Sequence, residues 1–253
     1  MKKIAPGDRI VVRTKREEEK GILLQSHESG ILLLKLSSGY NIGIKKKDIK
    51  SVKLLEKAKQ EKLETQIKST GKPRVDIIMT GGTISSSLDA KTGGVKWLTS
   101  PSEFFKFYPE IFSIVDVKII NPFMKSSENM TARDWIKLAK LVQKSLNDNN
   151  VQGVIITHGT DFLHYTSAAL SFMLKPKKPV VLTYSQRSSD RGSSDARLNL
   201  VCATHAALSD IAEVVLVGHA SINDDYCYVL RGTKVRKMHT SRRDAFKPIN
   251  ELP

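Results

Sequence analysis

The chain has 253 residues, 40% of them hydrophobic and 26% charged, and its 41 Lys and Arg outnumber 26 Asp and Glu for a formal net charge of +15. That length buries a substantial core and suits one large domain or one plus a small one, while apolar runs as short as GVIITHG and EVVLVGHA exclude a bilayer-spanning helix. Cys202 and Cys227 are too few for a disulfide scaffold and lack metal-ligand spacing. The start MKKIAPGDRI has no apolar h-region, so the reading is a cytoplasmic protein without a secretory signal.

The charge is uneven: residues 1–72 carry 18 Lys and Arg against 9 Asp and Glu. Such an excess fits either contact with nucleic acid or an acidic partner, or a lysine-rich solvated surface. Within it, DRIVVRT, KGILLQS, GILLLKLSSGYNIGI and IKSVKLL are short alternating runs parted by charged or glycine-containing turns, which predicts a small β-barrel over residues 1–54. LLEKAKQEKLETQIK then interleaves Glu and Lys before the breakers STGKP, predicting a helical linker over 55–72.

From Pro73 apolar strands alternate with helical patterns. RVDIIMT, IVDVKII, ARDWIKLAKLVQKSL, VQGVIITHG, DFLHYTSAALSFML, KPVVLTYS, ARLNLVCATHAAL and AEVVLVG succeed one another. This succession predicts an α/β domain over 73–253 with a doubly wound, mainly parallel sheet. Ligands of such sheets bind beyond the carboxyl ends of the strands, so the loops that follow strands are the candidates. Three are rich in polar groups: TGGTIS with Gly82 and Thr83, THGTD with Gly159, Thr160 and Asp161, and GTKVRKMHT with Lys237. Each residue alone has a plain structural role open to it. Thr83 and Asp161 are both suited to cap a following turn or helix, Lys237 to lie on the surface, and His158 to be a satisfied core or turn histidine.

Together, however, TGGTIS at 80–85 and HGTD at 158–161, on successive βα units in this order, resemble the two signature segments of the bacterial-type L-asparaginases and their glutaminase relatives. FMKSSENMTARDW looks like the family's substrate-carboxylate loop, and GTKVRKMHT aligns Lys237 with its catalytic lysine. The barrel and linker ahead of the glycine turn, and MHTSRRDAFKPIN after the lysine, resemble one branch of that family, the archaeal glutamyl-tRNA(Gln) amidotransferase D subunits. Members continue past the point where this chain reads NELP into a smaller C-terminal α/β domain, which this chain is therefore expected to lack.

The resemblance implies a glutaminase in which Thr83 is the nucleophile and Thr160, Asp161 and Lys237 form a second catalytic cluster. It implies that Asp161 also pairs with the substrate α-ammonium, that Ser127 and backbone near Glu128 take the α-carboxylate, and that Gly82 and Gly159 line the substrate. A neutral lysine is needed for base chemistry, and Arg236, Arg242 and Arg243 are the nearby charges that would favour it. The ammonia, from glutamine or asparagine, would pass to the amidotransferase's E subunit, which converts glutamyl-tRNA(Gln) to glutaminyl-tRNA(Gln). The implied assembly is a homodimer within a heterotetramer, with no membrane contact. No cofactor or metal is expected in this chain, and ATP and magnesium are expected in the partner. SSSLDAKTGGVKW departs from the asparaginase pattern by lacking the mobile-loop tyrosine that assists the nucleophile. Two other readings stay open: a free-standing L-asparaginase, and a non-catalytic truncated binding module.

Overall fold

A computed structural model of the chain describes residues 4–15, 17–24, 26, 28–38, 41–57, 70–89, 94–98, 103–104, 107–189 and 191–250. Most of the expected helical linker, residues 58–69, lies outside the described residues. The chain divides into two compact units, residues 1–62 with 88–96 and residues 63–87 with 97–253.

In the first unit β1 (Arg9–Thr14), β2 (Glu18–Leu24), β3 (Ile31–Leu36), β4 (Asn41–Lys45) and β5 (Ile49–Glu56) form an antiparallel sheet in the order β4-β3-β2-β1-β5. Side chains alternate faces along a strand, so Ile10 and Val12 of β1 meet Leu34 of β3 and Ile44 of β4 in one small core. Asp8, almost fully buried, accepts hydrogen bonds from the Ala5 N–H and, at 2.7 Å, from Lys57 Nζ, tying the turn before β1 to the end of β5. This is the barrel-like region that the alternating runs predict.

The second unit begins with β6 (Arg74–Met79). A 3-10 turn (Thr83–Ser85) follows; β7 (Ser86–Asp89) then pairs with β8 (Gly94–Trp97), residues 88–96 of this ribbon being counted with the first unit, and α1 (Pro109–Ile114) comes after it. Next come β9 (Asp116–Ile120), α2 (Ala132–Leu146), β10 (Val151–Thr157), α3 (Leu163–Met173), β11 (Val180–Thr183), α4 (Ala196–Ala207), β12 (Val214–His219) and β13 (Cys227–Arg231), and last a small hairpin of β14 (Val235–Lys237) and β15 (Phe246–Pro248). The main sheet runs β13-β12-β11-β10-β6-β9, parallel except for the antiparallel edge strand β13.

Both faces of this sheet are apolar. Val75, Ile77 and Met79 share one core with Ile111 of α1 and Leu200 and Ala203 of α4. Ile78, Val154 and Ile156 share the other with Leu138 and Val142 of α2 and Leu163 and Leu170 of α3. Each fully buried Ile, Leu or Val contributes on the order of 1.5–3 kcal/mol, so the apolar runs 77–79 of β6 and 154–156 of β10 are what hold these strands inside the sheet. The doubly wound architecture is as the sequence predicts. Among the described residues, no helix is long and apolar enough to cross a membrane.

Strand order also locates the crevice. The chain leaves β6 for β9 on one side and returns through α2 to β10 on the other. The carboxyl ends of β6 and β10 therefore flank a topological switch point, where open α/β sheets bind ligands.

Candidate active site

The loop after β6 is stitched to the end of β10. Both the N–H and the hydroxyl of Thr80 donate to the Thr157 carbonyl, at 3.1 and 2.9 Å, and the Ser85 and Thr157 hydroxyls meet at 2.7 Å. Between them Gly81 (φ 128°) and Gly82 (φ 82°) adopt left-handed backbone conformations that favour glycine. A Cβ on Gly81 would lie 2.3 Å from the Lys125 carbonyl oxygen, and one on Gly82 would lie 2.5 Å from that of His158. The glycine pair is thus required twice, for its turn and for the closeness of two further loops. Thr83, half-buried, opens the 3-10 turn itself and the cap position falls to Gly82, so capping is not its role. Among the described residues its hydroxyl has no hydrogen-bond partner.

The loop after β9 arrives through the Lys125 N–H, which donates to the Thr80 carbonyl at 2.9 Å. Lys125 Nζ lies 2.8 Å from both Asp134 oxygens, and the same carboxylate accepts from the Thr131 N–H and hydroxyl at the start of α2. Burial pushes the Asp134 carboxyl up, but Lys125 and Thr131 outweigh it and hold it below the usual carboxylate range. Ser127, 2% exposed, accepts from the Phe162 N–H at 3.2 Å, which leaves its hydroxyl proton available to a ligand. Glu128 is exposed in the 3-10 turn Ser127–Asn129.

The loop after β10 carries Gly159, Thr160 and Asp161. A Cβ on Gly159 would lie 2.9 Å from Ser127 Cβ and Oγ, so this loop and the 125–128 loop are in contact. Asp161 does not cap α3, whose cap position is Phe162. Instead, Lys237 Nζ donates to Thr160 Oγ1 and Asp161 Oδ1, both at 2.8 Å. The lysine side chain is 9% exposed and the aspartate 63%, so the pair spans the boundary between interior and crevice. Lys237 is delivered by the β14–β15 hairpin, where it lies opposite Phe246 in the register. Phe246 is buried against Tyr184, their ring centroids 4.5 Å apart.

The loops thus bring Gly82, Thr83, Ser127, Glu128, Gly159, Thr160 and Asp161 to one sheet edge, with Lys237 bonded to two of them. The arginines named beside Lys237 are a partial correction. Arg242 forms an ion pair with Asp244 at 2.9 Å and Arg243 with Asp224 at 2.7 Å, so carboxylates within reach have taken two of the three charges. His158 is a buried core histidine, bonded through Nδ1 to the Gly159 carbonyl at 2.8 Å and through Nε2 to Thr166 Oγ1 at 3.0 Å. Burial, partly offset by the Gly159 bond, lowers its pKa to about 4. Sequence reasoning missed the Ser85–Thr157 pair, the Lys125–Asp134 bridge and Thr166; only the capping motif T-x-x-D at 131–134 carried a local signal.

Three polar loops at the switch point, a glycine turn and a lysine joined to a threonine and an aspartate make up the candidate site. The family described as "Asparaginase, N-terminal" matches residues 74–253, and the "GatD N-terminal domain" matches residues 4–55. The chain belongs to the asparaginase family. It is 48% identical to the glutamyl-tRNA(Gln) amidotransferase D subunit of Pyrococcus furiosus, over 93% of this chain and 56% of that relative. To the D subunit of Archaeoglobus fulgidus it is 47% identical, over 98% of this chain and 58% of that relative. Among solved structures it is similar to the thermostable L-asparaginase from Thermococcus kodakarensis, with a TM-score of 0.61 and 28% identity over 71% of this chain and 52% of that one. The chain therefore spans less than two thirds of the length of the asparaginase-family relatives named here. The matches agree with the resemblance to the D subunits drawn from the barrel, the glycine turn and the residues around Lys237.

Proposed function

We propose that this chain carries the glutamine-hydrolysing site of a tRNA-dependent amidotransferase, releasing ammonia that a partner protein uses to convert glutamyl-tRNA(Gln) to glutaminyl-tRNA(Gln). The observation that carries the reading is the Lys237–Thr160–Asp161 cluster at the same sheet edge as the Thr83 turn.

A threonine hydroxyl is a weak nucleophile until a base takes its proton. In this reading Thr83 Oγ attacks the side-chain carboxamide carbon as its proton is lost toward the Thr160–Lys237 pair. The carbon–nitrogen bond breaks as the nitrogen gains a proton, ammonia leaves, and water hydrolyses the ester on Thr83. Backbone N–H groups of the Gly82 turn and the Gly159 loop are the donors for negative charge developing on the carboxamide oxygen. Ser127 and backbone near Glu128 receive the α-carboxylate, and Asp161 the α-ammonium. Arrival of that ammonium competes with Lys237 for Asp161.

The reading includes the division into a barrel over 1–54, a linker over 55–72 and a catalytic α/β domain over 73–253. The chain works in the cytoplasm with the amidotransferase's E subunit, as a homodimer within a heterotetramer. It uses no cofactor of its own, and ATP and magnesium act in the partner. Free-standing L-asparaginase is the second reading, favoured by solved structures that bear that name. Glutamine and asparagine differ by one methylene, worth about 1–3 kcal/mol in a pocket, so kcat/KM for each amide separates the two readings when measured with and without a tRNA-binding partner. Glutamine preference that rises with the partner supports the amidotransferase; partner-independent asparagine preference supports the alternative.

A further inference from the structure

Behind the Thr160–Asp161 loop runs a chain of hydrogen bonds from the half-buried Trp135 of α2 through Thr166 of α3 to His158. Trp135 Nε1 lies 2.9 Å from Thr166 Oγ1, that oxygen lies 3.0 Å from His158 Nε2, and His158 Nδ1 lies 2.8 Å from the Gly159 carbonyl oxygen. His158 and Thr166 are both fully buried.

The chemistry of the partners fixes every proton. A carbonyl only accepts, so Nδ1 carries the imidazole hydrogen and Nε2 is a bare acceptor. The indole N–H only donates, so the Thr166 oxygen receives it and turns its own proton to Nε2. One neutral tautomer satisfies all three bonds, and burial in an apolar face keeps the ring uncharged.

The peptide after Gly159 follows from this. In a planar trans peptide the C=O and N–H point in opposite directions. With the Gly159 carbonyl turned to the buried ring, the Thr160 N–H points away from it, and among the described residues that N–H has no partner.

We propose that His158 is a positioning residue whose Nδ1–H tautomer, held by Trp135 and Thr166, locks the Gly159–Thr160 peptide and with it the Thr160 hydroxyl that meets Lys237. The proposal rests on the amidohydrolase reading for its catalytic consequence and on the chain of bonds for its structural one. His158, fully buried, acts through the peptide it holds.

The test compares the parent with Thr166→Val, which keeps the shape but has no proton to give, Thr166→Ser, which keeps the hydroxyl, and Trp135→Phe. Imidazole 15N shifts are expected to report the neutral Nδ1–H tautomer in the parent between about pH 5 and pH 8, and Thr166→Val is expected to move both that signal and the Thr160 amide resonance. Glutamine turnover should fall about a hundredfold in kcat for Thr166→Val, the scale of a misplaced catalytic group, with KM changed far less, and Thr166→Ser should restore it. An Nε2–H tautomer in the parent, or Thr166→Val with parental shifts and kcat, overturns the proposal. A parent inactive on both amides even with the tRNA-binding partner supplied would instead sink the amidohydrolase reading, while the shifts would still decide whether His158 holds the peptide.

Discussion

Lys237 and Thr160 lie 77 positions apart in sequence, yet the lysine Nζ is 2.8 Å from the threonine hydroxyl and equally close to Asp161. The β14–β15 hairpin makes this meeting possible by burying Phe246 directly across from Lys237. A compact amine reaching two acceptors from a buried stem is a geometry that a guanidinium does not reproduce. Lys237→Arg is therefore expected to lose about as much amidohydrolase activity as Lys237→Ala, on the order of a hundredfold or more. Steady-state kinetics on both variants decide it: near-parental turnover for Lys237→Arg would reduce the lysine to a fixed charge.

Gly82 is constrained twice within the glycine turn, since its φ of 82° is left-handed and a Cβ there meets the His158 carbonyl oxygen at 2.5 Å. Gly82→Ala should lower stability by about 1–3 kcal/mol from backbone strain and should suppress turnover further by parting the Thr83 and Thr160 loops. Denaturant unfolding and glutamine kinetics read the two effects separately. An alanine variant with parental stability would mean that the turn relaxes more readily than its contacts imply.

His158 sets a pH dependence of stability. Its folded pKa of about 4 lies below the ordinary value of 6.5, so between these pH values the unfolded chain binds a proton that the folded chain refuses. Stability from this group is complete above about pH 6.5 and falls as pH drops toward 4, by on the order of 3 kcal/mol across the window. The difference in unfolding free energy between the parent and His158→Gln, followed from neutral to acid pH, should shrink over that interval. A pH-independent difference would contradict the burial of a neutral ring.

Ser127 is expected to act on binding more than on chemistry, because its buried hydroxyl accepts from Phe162 and keeps a proton for the substrate carboxylate. Ser127→Ala should raise KM for glutamine about tenfold, the loss of one hydrogen bond to a charged group, with kcat changed far less. A fall in kcat at constant KM would move Ser127 from recognition to the reacting groups.

Much of the fold was legible because its strands are buried on both faces. VQGVIIT and KPVVLT read as strands without reference to partners, and ARDWIKLAKLVQKSL showed its apolar face at helical spacing. The loops that carry Thr83 and Thr160 were legible for a topological reason, since they follow parallel strands at the reversal of strand order. Lys237 could be aligned by its motif, but the hairpin that delivers it has strands of three residues each, too short to leave a period. The Arg243–Asp224 pair and the Trp135–Thr166–His158 chain join side chains from separate segments, and such bonds leave no trace in local spacing. The antiparallel edge strand β13 was likewise missed, since CYVLR follows a polar turn and looks no different from its parallel neighbours.

The central claim is that Thr83 is the nucleophile, and the covalent ester tests it most directly. The chain, supplied with the tRNA-binding partner and glutamine, is quenched in acid during turnover and its peptides are mapped by mass. A glutamyl adduct on the peptide containing Thr83, absent together with ammonia release in a Thr83→Ala variant of unchanged melting behaviour, is the predicted result. Ammonia release by Thr83→Ala at the parental rate, or an adduct on any other residue, would contradict it.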